Sequence, residues 1–270
     1  MTGETWKPLE AHASTKKFFM GEWKGRPALM IRFERREDAD RFAAITKLLT
    51  SKKVPVPRML SADGEMNIVT EFVEGGLFSA EKRSAPYLEK ILAVAGMFAD
   101  ISPGRLPKAF RLNRMDLDRL RFEMNFFFLN FCASYLSEKP SVKVKDAIYK
   151  LAEELSIAPA VFAHRDYHSE NIMVANGSIY VVDYQDALMA PRCYDLASLY
   201  VDGYRTPSSA EMKTILRHSL RSNGADRQEF MKTALQRALK ALGTFGYQVV
   251  QRNKERYRDA VARTAGYLDA

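Results

Sequence analysis

The stretch Phe162 to Tyr204 reads FAHRDYHSENIMVANGSIYVVDYQDALMAPRCYDLASLYVDGY. Asn171 to Ala175 is a short apolar run, Asn176-Gly177 is the signature of a two-residue type I′ turn, and Ser178 to Tyr184 is a second run. A hairpin of that shape brings Asn171 and Asp183 to the same end of two paired strands. Two oxygen-bearing side chains fixed there suit Mg²⁺, a hard ion that takes one or two carboxylates together with phosphate oxygens and water. Asp166 lies in the loop before the first strand, five residues ahead of Asn171. From there it could reach an acceptor hydroxyl while the metal holds the donor phosphates.

The order H-R-D-x-x-x-x-N, then a strand, then Asp is the protein-kinase spacing of catalytic base, metal Asn and metal Asp. Singly, the three residues have plain structural explanations: a turn cap, a strand start and a strand end. Together, and in register with the hairpin, they point to phosphotransfer. Around them, His164 reads as a packed histidine bonded to the loop backbone. His168 could orient Asp166 or touch phosphate. Arg165 could fork onto an anionic substrate or phosphate, or lie at the surface. Asp186 could serve a second metal or fix the loop. Asp195 reads as the N-cap of the helix DLASLYV, with a second option of holding the preceding loop through backbone N–H groups.

Working outward, residues 16–33 read as two β-rich runs around a turn containing Gly25, hence a hairpin. The preceding Ser14, Thr15 and Lys17 either form a phosphate-covering loop with hydroxyls in place of glycines or merely start a strand. Residues 36–51 carry a helical apolar stripe that the VPVP at 54–57 must end. RMLSA and MNIVTEFV around Asp63-Gly64 form a second hairpin. Beyond Gly75 the pattern is helical: 85–101, 116–137, 142–156, 209–221, 226–252 and 254–267. The fold class expected is α+β, with an N-terminal lobe over 1–75 and a helical lobe over 76–270. Phe122, Phe126, Phe127, Phe128 and Phe131 read as core and pocket wall.

Composition narrows the function. With 47% hydrophobic and 27% charged residues among 270, the chain has enough apolar mass for a packed core and no disordered character. Two cysteines and four histidines, all scattered, exclude a disulfide framework and a zinc cluster. The formal charge of +8 is spread without a basic block, so it fits anionic ligands better than nucleic acid and disfavours a polycationic substrate. The N-terminus lacks a signal-type apolar run, and no window approaches the ~18 apolar residues of a membrane helix. A cytoplasmic monomer is expected, with no nucleic-acid or membrane partner.

The run HRDYHSEN, VVDYQDA and YDLASL resembles the aminoglycoside phosphotransferase and choline kinase superfamily, which implies a protein-kinase-like bilobal fold. Within it, RDYH, DYQDA and P-x-x-YDL are most similar to bacterial cell-wall amino-sugar kinases, which phosphorylate the anomeric hydroxyl of N-acetylmuramate and N-acetylglucosamine. LDRLRFEMNFFF with Glu123 resembles their acidic-aromatic helix, and LQRALKALGTFGY their C-terminal QR-x-LK-x-LG helix. The resemblance implies ATP and Mg²⁺ as cofactors, Asp166 as base, Asn171 and Asp183 as metal ligands, and Thr70, Glu71, Phe72 and Val73 as the hinge that meets adenine. Arg165, His168, Glu123 and Asp186 are the candidate residues on the substrate side. Two departures stand out: residues 28–33 hold no lysine for the α/β-phosphates, leaving Arg32 or Lys17 as substitutes, and 13–17 is glycine-free. The function expected is an ATP-dependent sugar kinase. An aminoglycoside- or choline-type phosphotransferase and a non-catalytic nucleotide-binding protein are the alternatives.

Overall fold

A computed structural model describes residues 6–9, 16–64, 66–222 and 224–269. Strands β1 (Lys7–Leu9), β2 (Lys17–Trp23) and β3 (Arg26–Arg32) are followed by helix α1 (Arg36–Ser51), then β4 (Met59–Ala62) and β5 (Asn67–Glu71). They build a five-stranded sheet in the order β1-β2-β3-β5-β4, with every pairing antiparallel. Lys24 and Gly25 alone turn the first hairpin, at φ of 50° and 72°, so Glu22 and Pro27 already pair across it. β1 was not expected from sequence; three residues carry too little pattern to mark a strand.

α1 lays Ala39, Phe42, Ile45 and Leu49 against the sheet. After it, VPVP buries Val54 and Val56, and the Pro55 carbonyl accepts from Val181 N at 2.8 Å, tying the small lobe to the hairpin at 172–181. A proline stretch has few backbone donors of its own, which leaves its carbonyls for partners elsewhere.

The rest of the chain runs through β6 (Gly76–Leu77), α2 (Ala85–Ala99), α3 (Lys108–Arg111), α4 (Leu117–Phe127), α5 (Val142–Ser156) and β7 (Ala160–Ala163). Then come β8 (Ile172–Ala175), β9 (Ser178–Val181), β10 (Leu188–Pro191), α6 (Tyr194–Tyr200), α7 (Ser209–Ser222), α8 (Arg227–Val250) and α9 (Arg258–Gly266). β8 and β9 turn through Asn176 and Gly177 at φ of 50° and 74°. The architecture is α+β and bilobal, and one buried cluster runs from Ile31, Phe42 and Leu49 through Tyr184 to Leu196 and Phe230. No helix among the described residues is long and apolar enough to cross a membrane.

Two helical expectations change. The segment expected as one helix over 116–137 is α-helical to Phe127 and winds as a wider π-helix over Phe128–Tyr135. There α8 approaches closely: a Cβ on Gly243 would lie 2.8 Å from Phe127 Cα, and one on Gly246 would lie 2.7 Å from Asn130 O. Backbone meets backbone, and only glycine permits it. Phe127, Phe128 and Phe131 are buried as expected, but Phe122 is 66% exposed and stacks on Phe126 at 6.3 Å.

Candidate active site

The β8–β9 register sets Ile172 opposite Val181, and Asn171 O accepts from Val182 N at 3.0 Å. Asn171 and Asp183 therefore leave the hairpin at one end and both line a cleft of about 860 Å³. Phe18, Leu29 and Ile31 of the sheet form its apolar roof, and Met173 and Val182 its floor. Asp183 sits in the left-handed region, at φ 62° and ψ 36°, and Arg165 has φ 81°. Such backbone is sparsely populated by non-glycine residues and persists where surrounding bonds over-determine it.

Along the loop that holds Arg165, those bonds come from buried carboxylates. Asp195 takes the backbone N–H groups of His164 and Arg165 at 2.7 and 3.0 Å, and Asp202 takes those of Ser169 and Tyr204 at 2.8 and 2.9 Å. Of the two readings of Asp195, the structure selects the second: Cys193 occupies the N-cap of α6, and Asp195 holds the loop. Burial raises the pKa of both Asp195 and Asp202. His164 is fully buried, with Nε2 2.9 Å from Val182 O. A carbonyl only accepts, so Nε2 carries the proton.

Asp166 faces the other way. Lys240 Nζ donates to its Oδ1 at 2.5 Å and Arg237 Nη2 at 3.4 Å. Burial pushes this carboxyl up, but Lys240, Arg237 and Arg165 together outweigh burial and hold it well below the usual carboxylate range. Glu123, on α4, is buried and takes Arg165 Nη2 at 3.3 Å and Gln236 Nε2 at 2.8 Å. Arg237 also donates to Tyr194 OH at 3.2 Å and lies over that ring at 5.0 Å. His168 packs 4.7 Å from the Tyr204 ring, and burial, opposed by Asp166, pulls its pKa to about 3, so it is neutral. Asn171 Nδ2 donates to Asp166 O at 2.9 Å, joining the two candidate residues by one bond and leaving the Asn171 amide oxygen for a ligand.

At the cleft end, Lys16 Nζ donates to Asp183 Oδ1 at 3.0 Å, and Gln185 Nε2 donates to the same oxygen at 2.9 Å. Burial raises the Asp183 pKa, Lys16 and then Gln185 lower it, and the net shift is downward. A carboxylate that already attracts a cation, beside an amide oxygen, is a hard-oxygen donor set that fits Mg²⁺.

The expected nucleotide residues divide. Thr70 and Phe72 line the cleft, whereas Glu71 turns outward to Arg58 and Val73 is not at the cleft wall. Lys17 and Arg32 do not reach it. They pair across the β2–β3 register on the sheet's outer face, where Arg32 donates to Asn67 at 2.9 Å and lies over Phe19 at 5.3 Å. Strand alternation puts Lys16, not Lys17, on the same side as Phe18 and Ile31. Ser14 and Thr15 lie outside the described residues. Asp186 lines the cleft near Gln185 Nε2, which lies 3.3 Å from its Oδ2.

A model of the phosphotransferase enzyme family matches residues 5–231. The chain belongs to that family. Among curated relatives, the N-acetylmuramate/N-acetylglucosamine kinase of Pseudomonas aeruginosa is 26% identical, over 97% of this chain and 82% of its own. The kinase of the same name from Neisseria meningitidis serogroup B is 27% identical, over 80% of this chain and 70% of its own. Among solved structures, an ethanolamine kinase of Plasmodium vivax superposes with a TM-score of 0.70 at 16% identity, covering 99% of this chain and 82% of its own. That superposition gives this phosphotransferase the kinase-like bilobal fold.

Lys16, Gln236 and Lys240 were not picked out as site residues. Gln236, Arg237 and Lys240 fall at i, i+1 and i+4 of α8, which places them on one side of the helix. That spacing is visible in QRALK; what it faces is not.

Proposed function

We propose that the protein transfers the γ-phosphoryl group of ATP to a sugar hydroxyl, specifically the anomeric hydroxyl of an amino sugar. The observation that carries this reading is Asp166, an ionised carboxylate held by Lys240 and Arg237 and bonded through its own carbonyl to Asn171. Residues 1–75 serve the nucleotide, and 76–270 carry the acceptor and the reacting groups. Leu29 and Met173, with Thr70 and Phe72 beside them, would flank the adenine. Lys16 meets phosphate oxygens. Asn171 and Asp183 would hold Mg²⁺, which when bound would neutralise charge on those oxygens.

Asp166 accepts the hydroxyl proton as the acceptor oxygen bonds to the γ-phosphorus. The bond to the bridging oxygen breaks, and ADP leaves with that electron pair. A carboxylate this acidic is a weak base towards a free hydroxyl, so the proton moves late, once the new bond has made the oxygen acidic.

The acceptor is drawn from the names of the curated relatives and from charge. Three cations, Arg165, Arg237 and Lys240, surround Asp166, and Glu123 is already taken by Arg165 and Gln236. A choline-like or aminoglycoside cation would meet repulsion there. The test is a coupled ADP-release screen over amino sugars, hexoses, choline and aminoglycosides, with the phosphorylated position read by NMR. An amino sugar should lead, with phosphate on its anomeric oxygen. Better turnover of choline or an aminoglycoside would sink the proposal.

A further inference from the structure

Lys240 differs from the other two cations around Asp166. Arg165 is committed to Glu123, and Arg237 is wedged against Tyr194 through both its hydroxyl and its ring. Among the described residues, Lys240 Nζ has Asp166 as its sole hydrogen-bond partner, and its side chain is 15% exposed. It is a compact charge on a flexible four-carbon stem, free to change partner without repacking.

The position is constrained by the reaction. The acceptor hydroxyl must lie about 2.7 Å from a carboxylate oxygen of Asp166. The γ-phosphorus must approach the same hydroxyl to about 3 Å. A cation bonded to Asp166 is therefore one swing of its side chain from the phosphoryl oxygens. Charge agrees: Lys240 and Arg237 share the single carboxylate Asp166, so negative charge that arrives beside it meets an ammonium already in place. The group that brings negative charge to that point is the phosphoryl in transit. Resting on the phosphotransfer reading above, we infer that Lys240 is a catalytic residue, which leaves Asp166 for the phosphoryl oxygens in the transition state. The acceptor-side helix α8 thus supplies a phosphate-directed charge of its own, separate from Lys16 on the nucleotide side.

The test compares wild type, Lys240→Met, Lys240→Arg, Asp166→Asn and the Lys240→Met/Asp166→Asn double variant, each first checked for its melting temperature. Lys240→Met should lower kcat at least about 100-fold, the usual worth of a preorganised transition-state donor, with both KM values held within about threefold. Lys240→Arg should recover part of the rate. In the Asp166→Asn background, Lys240→Met should still cost at least about tenfold, because a group that meets the phosphoryl does not act through the base. No further loss in the double variant overturns the inference and makes Lys240 a positioning residue for Asp166. A raised acceptor KM with kcat retained overturns it in favour of substrate binding. If Lys240→Met fails to fold, Lys240→Gln takes its place under the same criteria. If no amino sugar is phosphorylated, the parent reading fails by itself. ATP hydrolysis with water as acceptor is then measured on the same proteins, and absence of a Lys240 effect there overturns the inference.

Discussion

Four aspartates bracket the loop at 164–171, two in front and two behind, and their environments push them in opposite directions. In front, Asp166 and Asp183 face ammonium and guanidinium groups, and their pKa values fall. Behind, Asp195 and Asp202 face backbone N–H groups in a buried setting, and theirs rise. One residue type thus does two jobs. Amide donors fix a position in the backbone, whereas side-chain cations keep a carboxylate ionised at the site.

Breaking the front pair should have the largest effect. Asp166→Asn should reduce kcat by about 10²–10⁴-fold, as measured by coupled ADP release, a loss far larger than its cost in stability explains. Breaking the rear pair should reverse that pattern. Asp195→Ala orphans two backbone donors and should destabilise the fold by about 2–4 kcal/mol, read from urea unfolding, with activity lost in proportion to loop order.

A smaller effect belongs to the nucleotide end. Lys16→Met should raise the KM for ATP about tenfold, the worth of one charge-assisted contact, and leave the acceptor KM alone. Lys17→Met, one residue along and on the sheet's outer face, should leave both unchanged.

The finest test is the sign of the pH response, measured as urea midpoints in metal-free buffer. Asp166 has a folded pKa below its unfolded value, so its carboxylate stabilises the fold above about pH 4, and that contribution is lost as pH falls through the folded value. The stability advantage of wild type over Asp166→Asn should shrink on acidification. Asp202 has a raised folded pKa, so its charge costs stability at neutral pH, and the cost vanishes as pH falls through the folded value. The difference between wild type and Asp202→Asn should therefore move in the opposite sense.

The local parts of this design were legible in sequence. Asn176-Gly177 fixes a hairpin by backbone conformation alone, and the hairpin fixes which end carries Asn171 and Asp183, so their meeting at one cleft follows from neighbours along the chain. The helices at 36–51, 85–101 and 142–156 announced themselves by apolar period. Partners distant in sequence were not legible. Lys240 meets Asp166 across 74 residues, and Lys16 meets Asp183 across 167. Choosing Lys16 over Lys17 requires the strand's parity against Ile31, which is a property of the paired sheet. The π-helix at 128–135 likewise answers to two glycines more than a hundred residues later.

Helix α1 packs on the sheet of the N-terminal lobe with one part of its surface and grips the far side of the cleft with another. Phe42 stacks on Tyr184 at 5.3 Å, Thr46 Oγ1 lies 3.0 Å from Tyr184 OH, and Arg41 Nε donates to Gln185 O at 2.9 Å. The residues gripped are the immediate neighbours of Asp183. α1 therefore joins the sheet to the aspartate it braces, so cleft opening to exchange nucleotide must load one of its two contacts. A substitution that loosens the Tyr184 contact, such as Thr46→Val, should speed amide exchange there and act on the rate of product release without touching a reacting atom.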